Sequence, residues 1–114
     1  VPLNDSHSAP GYVCGRLIAA YELIVNRTGQ ELPLNDLTLS ATNPAYVLPR
    51  LRARQVQKAL ARMRRQNPGG TARVEDYIAD LAARLDDFPK RLDSEQGAQY
   101  ILGEAHQKGA GLPF

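Results

Sequence analysis

Between Asp36 and Glu75 the chain carries no carboxylate, yet Arg50, Arg52, Arg54, Lys58, Arg62, Arg64, Arg65 and Arg73 all fall in that interval. On a helix, Arg50, Arg54, Lys58 and Arg62 form an i, i+4 series that Arg65 joins at i+3, because residues three and four apart share a face. Like charges in such a row repel by roughly 0.2–0.5 kcal/mol per pair, so an external anion is the natural reason for the row. Guanidinium forks match phosphate oxygens, and the chemistry on offer is neutralisation of a phosphate backbone. The candidate nucleic-acid-binding residues are therefore Arg50, Arg54, Lys58, Arg62, Arg64, Arg65 and Arg73. Few aromatic residues accompany them, which argues against base stacking on that helix. The alternative partner is the acidic surface of a neighbouring protein.

Other chemistries find no support. Cys14 is the only cysteine, which excludes an internal disulfide and a cysteine zinc cluster and makes a reducing cytoplasm the default. His7 and His106 lie far apart and make neither a metal site nor a Cys-His nucleophile. Asp86 and Asp87 point about 100° apart on a helix and do not converge. Arg16 and Glu22 read as solvated or ion-paired residues on a polar side. Gly69 and Gly70 lack the Lys-Ser or Lys-Thr that a phosphate-cradling loop needs. A helix-turn-helix reader would mix Arg with Asn, Gln, Ser or Thr, whereas residues 50–65 offer mainly charge. The expectation is a protein with no catalytic residue, no cofactor and no metal.

Charge is segregated along the chain: −2 over residues 1–36, +8 over 37–74, −5 over 75–107 and +1 over the rest. That distribution speaks to partners where the formal net charge of +2 does not. A length of 114 residues is one domain's worth, and with two Phe and no Trp its core must be mainly aliphatic. No apolar run reaches the length of a membrane span.

The cations need a helix that docks by its opposite side. Val56, Ala59, Leu60 and Met63 project about half a turn away and supply that stripe. Leu51 and Arg52 fit the wheel badly, so Pro49, which lacks an amide hydrogen, is expected to bend or restart the helix, with its regular part beginning near Leu51. Asn43 and Pro44 are cap and first-turn residues for a helix near 44–66, and Asn67, Pro68, Gly69 and Gly70 read as the turn that ends it.

A first helix near 9–28 has so many apolar residues, from Tyr12 to Val25, that it is expected to be central, ending at Gly29. Gly15 inside it costs up to about 1 kcal/mol relative to Ala, which is tolerated where another backbone crosses closely. Asn35 or Asp36 caps a short helical turn through Leu37 and Leu39. A third long helix, near 72–88, starts at Thr71 and carries Val74, Tyr77, Ile78, Leu81, Leu85 and Phe88. The last, near 94–108, has Asp93 as cap, Gln96 as capping-box partner, His106 near its end and Gly109 as stop. The pattern predicts an all-α fold: a compact antiparallel bundle of four main helices plus a short helical turn. Residues 1–8 read as a flexible lead-in and 9–114 as a single domain.

Three stretches in order, GYVCGRLIAAYELI, SATNPAYVLPRL and DDFPKRLDSEQGAQYILGEAHQK, resemble the C-terminal region of the large subunit of type I-C CRISPR Cascade complexes. Tyr12 to Leu17 match its Tyr-x-x-Gly-Arg-Leu start and Ala41 to Pro44 its Ala/Ser-x-x-Pro segment. Leu92 to Gln107 match its closing Leu-x-x-x-Gln-Gly and Gly-Tyr-Tyr-His-Gln segments, except that Glu104 and Ala105 replace the two tyrosines. With Val1 first in the chain, the resemblance implies the small subunit that this family makes separately from an internal translation start. It further implies a non-enzymatic helical subunit of the cytoplasm, present in more than one copy, stacked along the backbone and large subunits of Cascade. Target DNA, above all the displaced single strand, would be its nucleic-acid partner, with guide RNA contacted only indirectly and no membrane involved.

Overall fold

Every residue from Gly11 to Tyr21 is buried, as a helix must be when apolar side chains surround it. This is α1, Pro10–Asn26, in the computed structural model of the chain, which describes residues 4–114. Around it lie α2 (Leu34–Ser40), then one long rod made of α3 (Pro44–Leu51), a π-helical segment (Arg52–Val56) and α4 (Gln57–Gln66), and finally α5 (Pro68–Ala82) and α6 (Ser94–Ala110). No strand occurs among the described residues. α1 packs against α3, the π segment, α4, α5 and above all α6, and α2 leans on α3. A single core unites Leu17, Ile18 and Ile24 of α1 with Leu48 and Leu51, Leu60, Ile78 and Leu81, and Tyr100. The expected all-α bundle is observed, and α1 is its centre.

Glycine decides the closest contact in the bundle. A Cβ on Gly11 would lie 2.1 Å from the Gln96 carbonyl oxygen, one on Gly15 2.0 Å from that of Tyr100, and one on Gly103 2.1 Å from that of Tyr12. Backbone therefore meets backbone along the α1–α6 seam, the close crossing expected at Gly15. Gly11 faces Gln96, Gly15 faces Tyr100, and farther along Glu22 meets Lys108 at 3.1 Å, so both helices run in the same direction. This pair is parallel where antiparallel packing was expected. Short connections force neighbours to be antiparallel, but α1 and α6 are joined through all the intervening elements, which leaves the direction to side-chain fit.

Arg16 does not lie on a solvated side. It is fully buried, and its Nε donates to Gln107 Oε1 at 2.8 Å, its Nη2 to the Tyr77 hydroxyl at 2.8 Å and its Nη1 to Asp5 at 3.2 Å. Tyr77 in turn donates to Gln107 at 3.1 Å, and the Gln107 amide donates to the Gly111 carbonyl at 2.8 Å. A buried guanidinium is tolerable only with its donors satisfied, and residues from the lead-in, α5 and α6 together satisfy this one. Asp5 also accepts from Arg84 at 3.1 Å, and His7 stacks on Tyr12 with ring centres 4.3 Å apart. Of the expected lead-in, 1–8, the part from Asn4 makes these contacts; residues 1–3 lie outside the described residues.

Several element ends differ from expectation. The Pro68-Gly69-Gly70 stretch is the first turn of α5, not a connecting turn, because Asn67 accepts from the Gly70 amide and Pro68 occupies the first position. Thr71 is then inside the helix, not its cap. α5 stops at Ala82, short of 88; Asp86 and Asp87 oppose a helix C-terminus, and Pro89 disfavours helical backbone before it. Gln96 does not close a capping box. Its side chain accepts from the Gly11 amide at 2.7 Å and so caps α1 instead. His106 bonds the Tyr12 hydroxyl at 2.7 Å rather than its own helix end. α6 continues through Gly109 to Ala110, because the left-handed position, φ 75°, falls on Gly111.

Gly15→Ala should therefore destabilise the protein by about 2 kcal/mol or more, since a backbone oxygen must give way. Gly97→Ala, in the same seam helix but with open space around it, should stabilise by about 0.5–1 kcal/mol; urea midpoints compare the two. Chiefly the hydrogen bond and charge of Arg84, and further those of Arg16, hold the Asp5 carboxyl below its ordinary 3.8. A lowered folded value means a contribution complete above about pH 4 and lost as pH falls through that value. In Arg84→Ala the Asp5 titration, followed by carbon NMR, should move up towards the ordinary value.

Candidate nucleic-acid interface

The π segment resolves the misfit of Leu51 and Arg52 on the helical wheel. Pro49 removes one rung of the i→i−4 ladder, and just beyond it the helix widens instead of restarting. An i→i+5 turn lodges one extra residue and so turns all that follows by about 100° relative to an unbroken α-helix. Val47, Leu48 and Leu51 before it, and Val56, Ala59, Leu60 and Met63 after it, are thereby all buried against the same core. Arg54 within the segment and Lys58, Arg62 and Arg65 after it lie on the outer face, all exposed.

The seven candidate residues separate into two groups. Arg50 is half-buried, paired with Asp36 of α2, and lies over the Tyr46 ring at 4.8 Å. Arg64 is exposed but turned to α5, where it pairs with Glu75 at 2.6 Å. Arg54, Lys58, Arg62, Arg65 and Arg73 form no ion pair among the described residues. The row is thus shorter than expected at its Arg50 end, because the buried Asp36 of α2 captures that guanidinium. Arg52 lies off the row, as expected, and bonds Gln57 at 2.7 Å.

A cleft of about 290 Å³ runs beside the row, between the loop after α1 and α4, with Thr28, Gln30 and Glu31 on one wall and Gln55, Lys58 and Arg62 on the other. Thr28 and Arg62 also border a second hollow of about 260 Å³, which Arg27 and Gln66 complete. Arg27 in turn lies 5.4 Å, and Arg73 5.8 Å, from the centre of the Phe114 ring. Arg73 therefore joins the face through Phe114 and Arg27, not directly through the row. Arg27 and Phe114 escape a sequence reading because they lie outside the acid-free interval; only the folded chain brings α1, α5 and the last residue together.

The family described as CRISPR-associated protein (Cas_Csd1) matches residues 1–111. The chain belongs to that family. No curated protein matches it. Within this Cas_Csd1 member, the motif residues of the resemblance are chiefly architectural. Tyr12, Gly15 and Arg16 of the first motif meet His106, Tyr100 and Gln107 of the last. Asn43 caps α3 by accepting from the Tyr46 amide. The motifs make the seam and the start of the rod; the basic face lies between them.

No group of His, Cys, Asp and Glu able to hold a metal occurs among the described residues. Cys14 is fully buried, and burial pushes its thiol up to about 12. Among the described residues, no helix is long and apolar enough to cross a membrane.

The division between free and paired cations is measurable with a generic polyanion. On heparin, Arg54→Ala and Arg65→Ala should each lower the eluting salt clearly, whereas Arg50→Ala and Arg64→Ala should lower it less, because Asp36 and Glu75 already neutralise those charges.

Proposed function

We propose that this Cas_Csd1 protein is a non-enzymatic small subunit of a type I-C Cascade complex, in which the basic rod holds the phosphates of the strand displaced when guide RNA pairs with its complement. The guide reads sequence and the protein holds backbone. The observation that carries the reading is the run of exposed, unpaired Arg54, Lys58, Arg62 and Arg65 along one face of the rod, with the core stripe behind it. A helix that buries one side and presents cations without a single carboxylate on the other is suited to a flexible polyanion. Membership of a CRISPR-associated family supplies such a polymer. Other Cascade subunits and further copies of the chain are its expected partners. One helix makes few phosphate contacts, so binding by the free chain is weak and tightens within the guide-bearing complex.

The triple substitution Arg54→Glu, Lys58→Glu, Arg62→Glu tests this directly. Four cations, each on one phosphate of a single strand, give a slope of log affinity against log salt of roughly −3, and removing three should flatten it by about 2. The bundle should stay folded, since all three side chains are exposed. Arg52→Ala, off the row, should leave the slope unchanged. A triple variant that binds with the parent slope would transfer the face to the alternative role, contact with a neighbouring protein.

A further inference from the structure

Phe114 stands where the basic face ends. Its ring lies across Gly70 in the first turn of α5, so closely that a Cβ there would be 2.6 Å from ring carbon Cδ2. The absence of a side chain at Gly70 thus makes room for the ring. Arg27 and Arg73 approach it at 5.4 and 5.8 Å, yet the residue stays 38% exposed. An aromatic ring backed by main chain, with two guanidinium groups over it and still partly open to water, suits a ligand that has both a flat apolar face and negative charge. A nucleotide has both. Arg27 belongs equally to the hollow it shares with Arg62, so a phosphate held there brings the adjoining base within reach of the ring.

We infer that Phe114 is a stacking platform for one unpaired base of a strand whose phosphates follow Arg65, Arg62, Lys58 and Arg54. This rests on the phosphate-binding role proposed above and adds selectivity to it. Phosphate contact alone does not distinguish one strand from two. An aromatic ring takes any unpaired base, because every base has a π-face, but the bases of a duplex are already stacked on each other. The basic helix has few aromatics of its own; the fold adds one from the far end of the sequence. Gly70 and the two flanking arginines hold that ring ready, so little of its freedom remains to be lost on binding.

The experiment uses the full chain at low salt with three fluorescent probes of equal length: a single strand, the same backbone without bases, and a duplex. The intact single strand should bind roughly 5- to 100-fold more tightly than the abasic one, and 2-aminopurine placed in it should change emission on binding. Phe114→Leu should erase that preference and leave the salt slope as it was, whereas Phe114→Trp should keep the preference. Equal affinity for intact and abasic strands, or a preference that survives Phe114→Leu, overturns the stacking platform and leaves the phosphate role standing. If neither single strand binds with a salt-dependent slope, both are overturned. A Phe114→Leu variant that loses the slope together with the preference also overturns the platform, since the ring would then only support Arg27 and Arg73.

Discussion

The distance between α1 and α6 governs this molecule. Three carbonyl oxygens occupy the space where side chains of Gly11, Gly15 and Gly103 would begin, so main chain packs on main chain over the length of the seam. Close approach gives many small dispersion contacts, and it brings polar groups of the two helices within bonding range. The Gln96 amide oxygen reaches an orphan amide at the start of α1, and Tyr12 reaches His106. Arg16, enclosed by that approach, is then satisfied by Gln107, Tyr77 and Asp5. A buried charge with each of its three nitrogens bonded admits few alternative arrangements. The seam therefore fixes α5 and the segment before α1 as well as α6.

The basic rod depends on a different device. Its two apolar runs are out of phase for a continuous α-helix, and the π segment after Pro49 removes the difference. Core packing and charge display are thereby both set by one local widening. The rest of the arrangement follows from electrostatics: carboxylates of α2 and α5 take Arg50 and Arg64, and the outer cations are left without partners of their own. The exposed row is what remains once Asp36 and Glu75 have taken Arg50 and Arg64.

Much of the architecture was legible from periodicity. The all-helical class, the central first helix, the close crossing at Gly15 and the apolar stripe of the rod all follow from residue spacing. Caps were less legible, because a cap is defined by who accepts which amide. Gln96 has the right spacing for its own helix but serves another, and Asn67 takes the role assigned to Thr71. The direction of α6 was not legible, since no short loop ties it to α1. Of the candidate site, Arg54, Lys58, Arg62 and Arg65 emerge on one face. Arg50 is taken by Asp36 across a tertiary contact that one-dimensional spacing does not register. Arg27 and Phe114 join the face for the same reason: their neighbours are distant in sequence.

That separation bears on how the chain reaches its fold. The contact between Gly11 and Gln96 closes over 85 residues, and that between Arg16 and Gln107 over 91. Loop-closure entropy must be met before such contacts contribute anything, and chains rich in them fold slowly. α1 precedes α6 by most of the chain, so during synthesis the seam side of this largely apolar helix waits for the partner that covers it. Until α6 follows, that exposed surface is open to non-native association. Completion of packing around the central helix is therefore among the last events of folding, because its seam partner is made only after every element between them.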